Sequence, residues 1–70
     1  MTLKERFGHN LSEARHCAGL TQAQLGERVS LAQGHISRLE TGFWSPRLGT
    51  LVKLADALGV SATDLLDGIE

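Results

Sequence analysis

The sequence has no apolar run approaching the roughly 20 residues that a bilayer-spanning helix requires, so no membrane segment is expected. Its opening residues, MTLKERFGHN, lack the apolar centre of a secretory signal, so nothing argues for export and the cytoplasm is the expected location. The chain has a single cysteine, Cys17, which excludes an internal disulfide and fits a reducing compartment. Cys17 itself reads as a small helix-face residue of the kind usually found buried. Charge of one sign is also scarce. The net value is −1, too little to draw the chain toward any polyanion as a whole. The distribution is uneven, however. Residues 1–40 carry five Lys/Arg against four Glu, and residues 41–70 carry two against Asp56, Asp64, Asp67 and Glu70. No repeat, linker or low-complexity stretch occurs, and no segment alternates as a strand would. The three histidines, His9, His16 and His35, lack metal-ligand spacing, and adjacent His16 and Cys17 diverge on a helix. There is no Ser/His/Asp set, no carboxylate pair and no phosphate-cradling glycine loop. No metal, no cofactor and no enzymatic activity are expected.

What the 70 residues do contain is helix punctuation for one small domain over residues 1–70, of a size that buries only about 60% of its unfolded surface. Thr2 with Glu5 forms a capping box, followed by Leu3, Phe7, Leu11, Ala14 and Ala18 at helical spacing, and Gly19 with Leu20 closes that helix. Thr21 with Gln24 is a second capping box, opening a helix over residues 22–29 with Leu25 and Val29 on its inner face. A break at Ser30–Leu31 leads to a third helix over about residues 32–41, stopped by Gly42. Ser45–Pro46 reads as an N-cap with proline at the first helical position, and Leu48, Leu51, Leu54, Ala55 and Leu58 line a fourth helix up to Gly59. Ser61 with Asp64 opens a last short helix carrying Leu65, Leu66 and Ile69. The fold class is all-α, with five helices. Gly8 and Gly26 fall inside helices at a cost of about 1 kcal/mol each relative to alanine. A close approach of the second and third helices accounts for Gly26; the sequence offers no reason for Gly8.

The third helix is short of core material. At about 100° per residue, Gln33, Gly34, Ser37, Arg38 and Thr41 fall within one arc of roughly 140° that contains no carboxylate. Ala32, His35, Ile36 and Leu39 lie on the other side, and Glu40, the only acid of this helix, falls outside the arc. Two helices joined by so short a turn, the second presenting an amide, hydroxyls and a guanidinium, match the geometry that lays a helix in a DNA major groove. Gln pairs bidentately with adenine and Arg with guanine. Polar side chains on a solvated face would also look like this, so the face alone leaves both readings open.

LTQAQLGERVSLAQGHISRLETG followed by SPRLGTLVKLADALGVSATDLL resembles the Cro/repressor-type, lambda repressor-like helix-turn-helix family of phage repressors and bacterial regulators, over roughly residues 6–67. The resemblance implies a compact five-helix domain, with its helix-turn-helix at about 21–41, that binds double-stranded DNA to regulate transcription, usually as a homodimer on a two-fold operator. Position by position, it makes Ala32, Gln33, Gly34, Ser37 and Arg38 the base-facing residues. It makes Gln22, His35, Thr41, Ser45 and Arg47 the phosphate contacts, and Arg15 with Glu40 the pair tying the first helix to the third. Four positions depart from the pattern. Ser30 stands where the tight turn usually has glycine, and a left-handed serine costs about 1 kcal/mol. Ala32 replaces a Ser/Thr cap, at a similar cost. Gly34 reaches no base edge, though it permits close backbone approach. Phe43 and Trp44 fill a loop that is often basic.

Trp44, the only tryptophan, admits two roles: a ring folded over the core beside Pro46, or a contact with a second subunit or the DNA flank. Phe43, Trp44, Leu65, Leu66 and Ile69 are the expected interface residues, since the C-terminal apolar residues with Val60 exceed what one small core needs. Within the same fold, an antitoxin or a restriction–modification controller are alternatives; an antitoxin usually has a toxin-contacting segment, which finds little room here. A protein-interaction module that has lost DNA binding is a third, favoured by the net charge and opposed by Gln22, Gln33, Arg38 and Arg47. No small-molecule effector or separate sensor domain is evident.

Overall fold

In the computed structural model, which describes residues 1–69, the chain forms five helices: α1 (Leu3–Cys17), α2 (Gln22–Val29), α3 (Gln33–Glu40), α4 (Leu48–Leu58) and α5 (Ala62–Leu65). Three of the five starts are reciprocal capping boxes. Thr2, Thr21 and Ser61 each accept the backbone N–H three residues on, while Glu5, Gln24 and Asp64 accept the cap residue's own N–H. α1 ends as Gly19 turns left-handed (φ 71°), letting the N–H of Leu20 reach the carbonyl of Arg15 at 3.2 Å. α2 ends on Ser30, the one non-glycine residue at positive φ (60°) among those described, and Leu31 N–H closes onto the Gly26 carbonyl at 2.8 Å. The turn between α2 and α3 is therefore built on a strained serine.

α1 packs against α3 and α5, α2 against α3 and α4, and α4 against α5. The core they enclose is Phe7, Leu11, Leu25, Val29, Ile36, Leu39, Leu51, Leu54, Ala55, Leu58 and Leu65. Two glycines make the tight crossings possible. A Cβ on Gly26 would collide with the carbonyl oxygen of Leu31, in the turn itself. One on Gly8 would collide with the carbonyls of Leu39 and Glu40, so Gly8 is where α1 lies directly on the C-terminal turn of α3.

Several expectations are corrected. Ser45 is not an N-cap: residues 45–47 run into the helix, α4 begins at Leu48, and Arg47 is its cap with no side-chain hydrogen bond. Starting there, Leu48 sits at the first position of α4 with no part of the chain over it and is 77% exposed, rather than lining the core. Leu3 and Ala18 are likewise exposed, as is Cys17, which is free. Leu65 is not an interface residue. At 1% exposure it is part of the core, drawn in because the Asn10 amide donates to its carbonyl at 3.0 Å and to that of Asp67 at 2.8 Å. Among the described residues no helix is long and apolar enough to cross a membrane.

Candidate nucleic-acid interface

α2 and α3 are separated by three residues, 30–32, and α3 buries only Ile36 and Leu39. Its other side is open. Ala32, Gln33, Gly34, Arg38 and Thr41 are exposed and Ser37 is half-buried, with no carboxylate among them. Ala32 caps α3 in an extended conformation without a side-chain bond. The Thr41 hydroxyl donates back to the Ser37 carbonyl at 2.9 Å, keeping the end of this face polar.

The orientation of α3 is set by one carboxylate. Glu40 Oε2 accepts from Arg15 Nε at 2.6 Å, while its Oε1 accepts from Arg15 Nη2 and from Gln22 Nε2, each at 3.1 Å. Arg15 also donates Nη1 to the Leu20 carbonyl at 2.8 Å. Both charged side chains are almost wholly buried, at 10% and 6% exposure. A buried pair of this kind is tolerable because its remaining donors and lone pairs are filled. It joins α1, the start of α2 and the end of α3, which fixes the helix-turn-helix angle. Gln22, assigned to phosphate by resemblance, is engaged here through one amide hydrogen, leaving the other and its backbone N–H at the helix start.

Beyond α3 the chain doubles back. Gly42 (φ 82°) lets Phe43 N–H donate to the Arg38 carbonyl at 3.0 Å, and Trp44 N–H shares the same acceptor at 3.3 Å. Phe43 projects outward at 73% exposure. Trp44 does not fold over the core beside Pro46. Its ring meets His35 edge-on, with centroids 5.0 Å apart and planes at 81°, and the Arg38 guanidinium lies 5.2 Å from its centroid. Beside it opens a cleft of about 470 Å³, lined by Lys4, His35, Phe43, Trp44, Ser45, Arg47 and Thr50. The lining holds two cations, two hydroxyls and no carboxylate. Lys4 and Thr50 are the members that sequence reasoning missed, because only folding brings the starts of α1 and α4 together beside the loop after α3.

The remaining interface candidates lie elsewhere. Leu66 is 39% exposed and Ile69 half-buried; with Leu3, Lys4, Phe7, Ser45, Pro46, Leu48 and Leu51 they line a groove of about 330 Å³. Phe43 and Trp44 are not in it. Among the described residues no cluster of His, Cys, Asp and Glu could hold a metal ion.

A five-helix bundle whose third helix is held open-faced by a buried Arg–Glu pair defines a helix-turn-helix protein of the lambda repressor-like kind. The helix-turn-helix domain family matches residues 6–67, and the chain belongs to it. An uncharacterised HTH-type transcriptional regulator of Sinorhizobium fredii, y4dJ, is 38% identical over 66 residues, covering 94% of this chain and 86% of the relative. The clp gene regulator ClgR from Corynebacterium glutamicum superposes with a TM-score of 0.89 at 32% identity, over 94% of this chain and 86% of that one. The P22 c2 repressor, solved in complex with a synthetic operator, gives 0.82 at 31% identity, over 89% of this chain and 94% of that one. Other curated relatives are longer: the chain spans 28% of HTH-type regulator y4dL of S. fredii and 47% of ImmR of Bacillus subtilis. Family and relatives are regulators, and the chain is not an enzyme.

Proposed function

We propose that this chain is a cytoplasmic, sequence-specific double-stranded DNA-binding regulator of transcription, acting as a homodimer on a two-fold operator. The observation that carries the reading is the open, carboxylate-free face of α3, bordered by the Lys4–Arg47 cleft. A helix so presented fits the major groove. Gln33 and Arg38 are the principal base readers, with Ala32, Gly34 and Ser37 in close approach. Gln22, His35, Thr41, Ser45 and Arg47, joined by Lys4, face the backbone on either side. Net charge is no obstacle, because no carboxylate lines the Lys4–Arg47 cleft or shares the exposed arc of α3.

The apolar groove supports self-association. Leu3, Leu48 and Leu66 are exposed around it, and monomeric soluble domains rarely leave such residues contiguous without a partner. For two copies to act on one two-fold operator, their α3 helices must enter successive major grooves about 34 Å apart. The test is selection of bound duplexes from a random pool at a stated salt concentration. A two-fold consensus is expected, together with a dimer in sedimentation that Leu48→Glu dissociates. Retention without sequence preference would remove the regulatory reading; a monomer at tens of micromolar, with and without the selected duplex, would remove the dimer.

A further inference from the structure

We infer that Gly34 and Trp44 are positioning residues for Arg38, and that together they set its guanidinium over the vacant position 34 to read a guanine. The inference rests on the DNA-binding reading and specifies which part of the face does the reading. Side chains on a helix lean toward its N-terminus, so a long residue at position 38 lies over the turn that contains position 34. Here that turn has no side chain of its own. Arg38 Nη1 donates to the Gly34 carbonyl at 3.1 Å, and a Cβ on Gly34 would stand 3.0 Å from the same nitrogen. The guanidinium thus fills the place where a residue at 34 would project.

Trp44 holds it there from the other side. Its ring, fixed edge-on by His35, gives the cation a face at 5.2 Å, within the range of a favourable contact. The ring is delivered by the Gly42 turn, whose N–H groups hang on the carbonyl of Arg38 itself. The anchor uses one of the five guanidinium donors, and among the described residues no other acceptor in the protein engages the rest. An arginine already ordered, with its fork free, binds a guanine edge without first losing its side-chain freedom. Two locally unfavourable choices, a glycine within a helix and a half-exposed tryptophan, acquire one shared reason.

The experiment measures binding of the wild type and of Arg38→Lys, Trp44→Phe, Trp44→Leu and Gly34→Ala to duplexes selected by the wild type and to their single-base variants, at one salt concentration. Melting of each free protein is recorded beside it. Arg38→Lys keeps the charge but loses the fork, and identifies the base pair that Arg38 reads as a G·C. At that pair alone, Trp44→Leu is expected to lower discrimination by about three- to tenfold. Trp44→Phe, which restores an aromatic face, recovers most of it, and Gly34→Ala acts in the same direction by less. Discrimination in Trp44→Leu equal to wild type at the Arg38-dependent pair, or a loss spread evenly over all pairs, overturns the inference while leaving DNA binding intact. So does an Arg38→Lys variant that changes no base preference. If the wild type selects no site at all, the DNA-binding reading fails and the inference falls with it, a result distinct from the other three.

Discussion

Gly8→Ala places two effects of opposite sign in competition, and the structure decides between them. In the middle of α1, alanine in place of glycine should gain about 1 kcal/mol of helix propensity. The added Cβ, however, would stand 2.5 Å from the carbonyl oxygen of Leu39 and in collision with that of Glu40. Neither obstacle is a side chain that can rotate away. Both belong to the last turn of α3, which the Arg15–Glu40 pair holds against α1. Relief therefore requires the two helices to separate by several tenths of an ångström, loosening Phe7, Leu11 and Leu39 together. Overpacking of this sort costs about 1–3 kcal/mol, and with backbone on one side the upper end applies. The net expectation is a loss of about 2 kcal/mol, or a melting temperature lower by about 10 °C in a domain of this size. Gly49→Ala is the matched control. It lies in α4 with nothing within 4 Å of the new methyl, so it should gain up to about 1 kcal/mol. Thermal unfolding of the two variants beside wild type measures both signs at once. A Gly8→Ala protein that melts at or above wild type would refute the close-packed crossing.

Ser30→Gly relieves the left-handed serine, with part of the gain offset by a freer unfolded chain; chemical denaturation should register about 0.5 kcal/mol of added stability. Glu40→Ala strands the buried Arg15 guanidinium and the Gln22 amide, and a loss of about 3 kcal/mol or more is expected by urea titration, with Arg15→Met/Glu40→Leu losing less than that single change. Gln33→Ala should cost about 1–3 kcal/mol on the selected operator and relax one base pair, whereas Arg47→Ala should weaken all sequences and reduce the log–log salt slope by about 1. In the Thr2 capping box, hydrogen bonds from the Thr2 backbone N–H and then its hydroxyl hold the Glu5 carboxyl below its ordinary range. A lowered folded value means that its stabilisation is present at neutral pH and is lost as pH falls through that value. Glu5→Gln, which cannot titrate, should therefore show a shallower acid-side fall in denaturation midpoint.

Features whose causes lie within a few residues were legible in the sequence. The capping boxes at Thr2, Thr21 and Ser61 need only two side chains three positions apart, and α2 occupies the residues 22–29 that its box and apolar spacing define. Ser45–Pro46 has the same local form and misled. The loop's hydrogen bonds to the Arg38 carbonyl consume the chain through Trp44, and α4 starts only at Leu48. Apolar periodicity identified the faces of α4 and α5 but not which leucine finds a partner: Leu65 does and Leu48 does not. Gly8 could not be understood from its neighbours, because what excludes a side chain there is backbone more than thirty residues away. The outer arc of α3 was visible as a pattern. The place of Arg38 on it was not, since that depends on a tryptophan returned by a turn.

The groove floored by Phe7 and Leu51 takes its flanks from residues 3–7 and 66–69, distant in sequence and fastened together by Asn10 and Arg6 on the carbonyls of Leu65 and Asp67. Loosening either flank erases the groove. By mass action, anything that fills it therefore tightens both. Amide exchange along these two segments should slow together as protein concentration rises, coupling subunit association to local order at both ends of the chain.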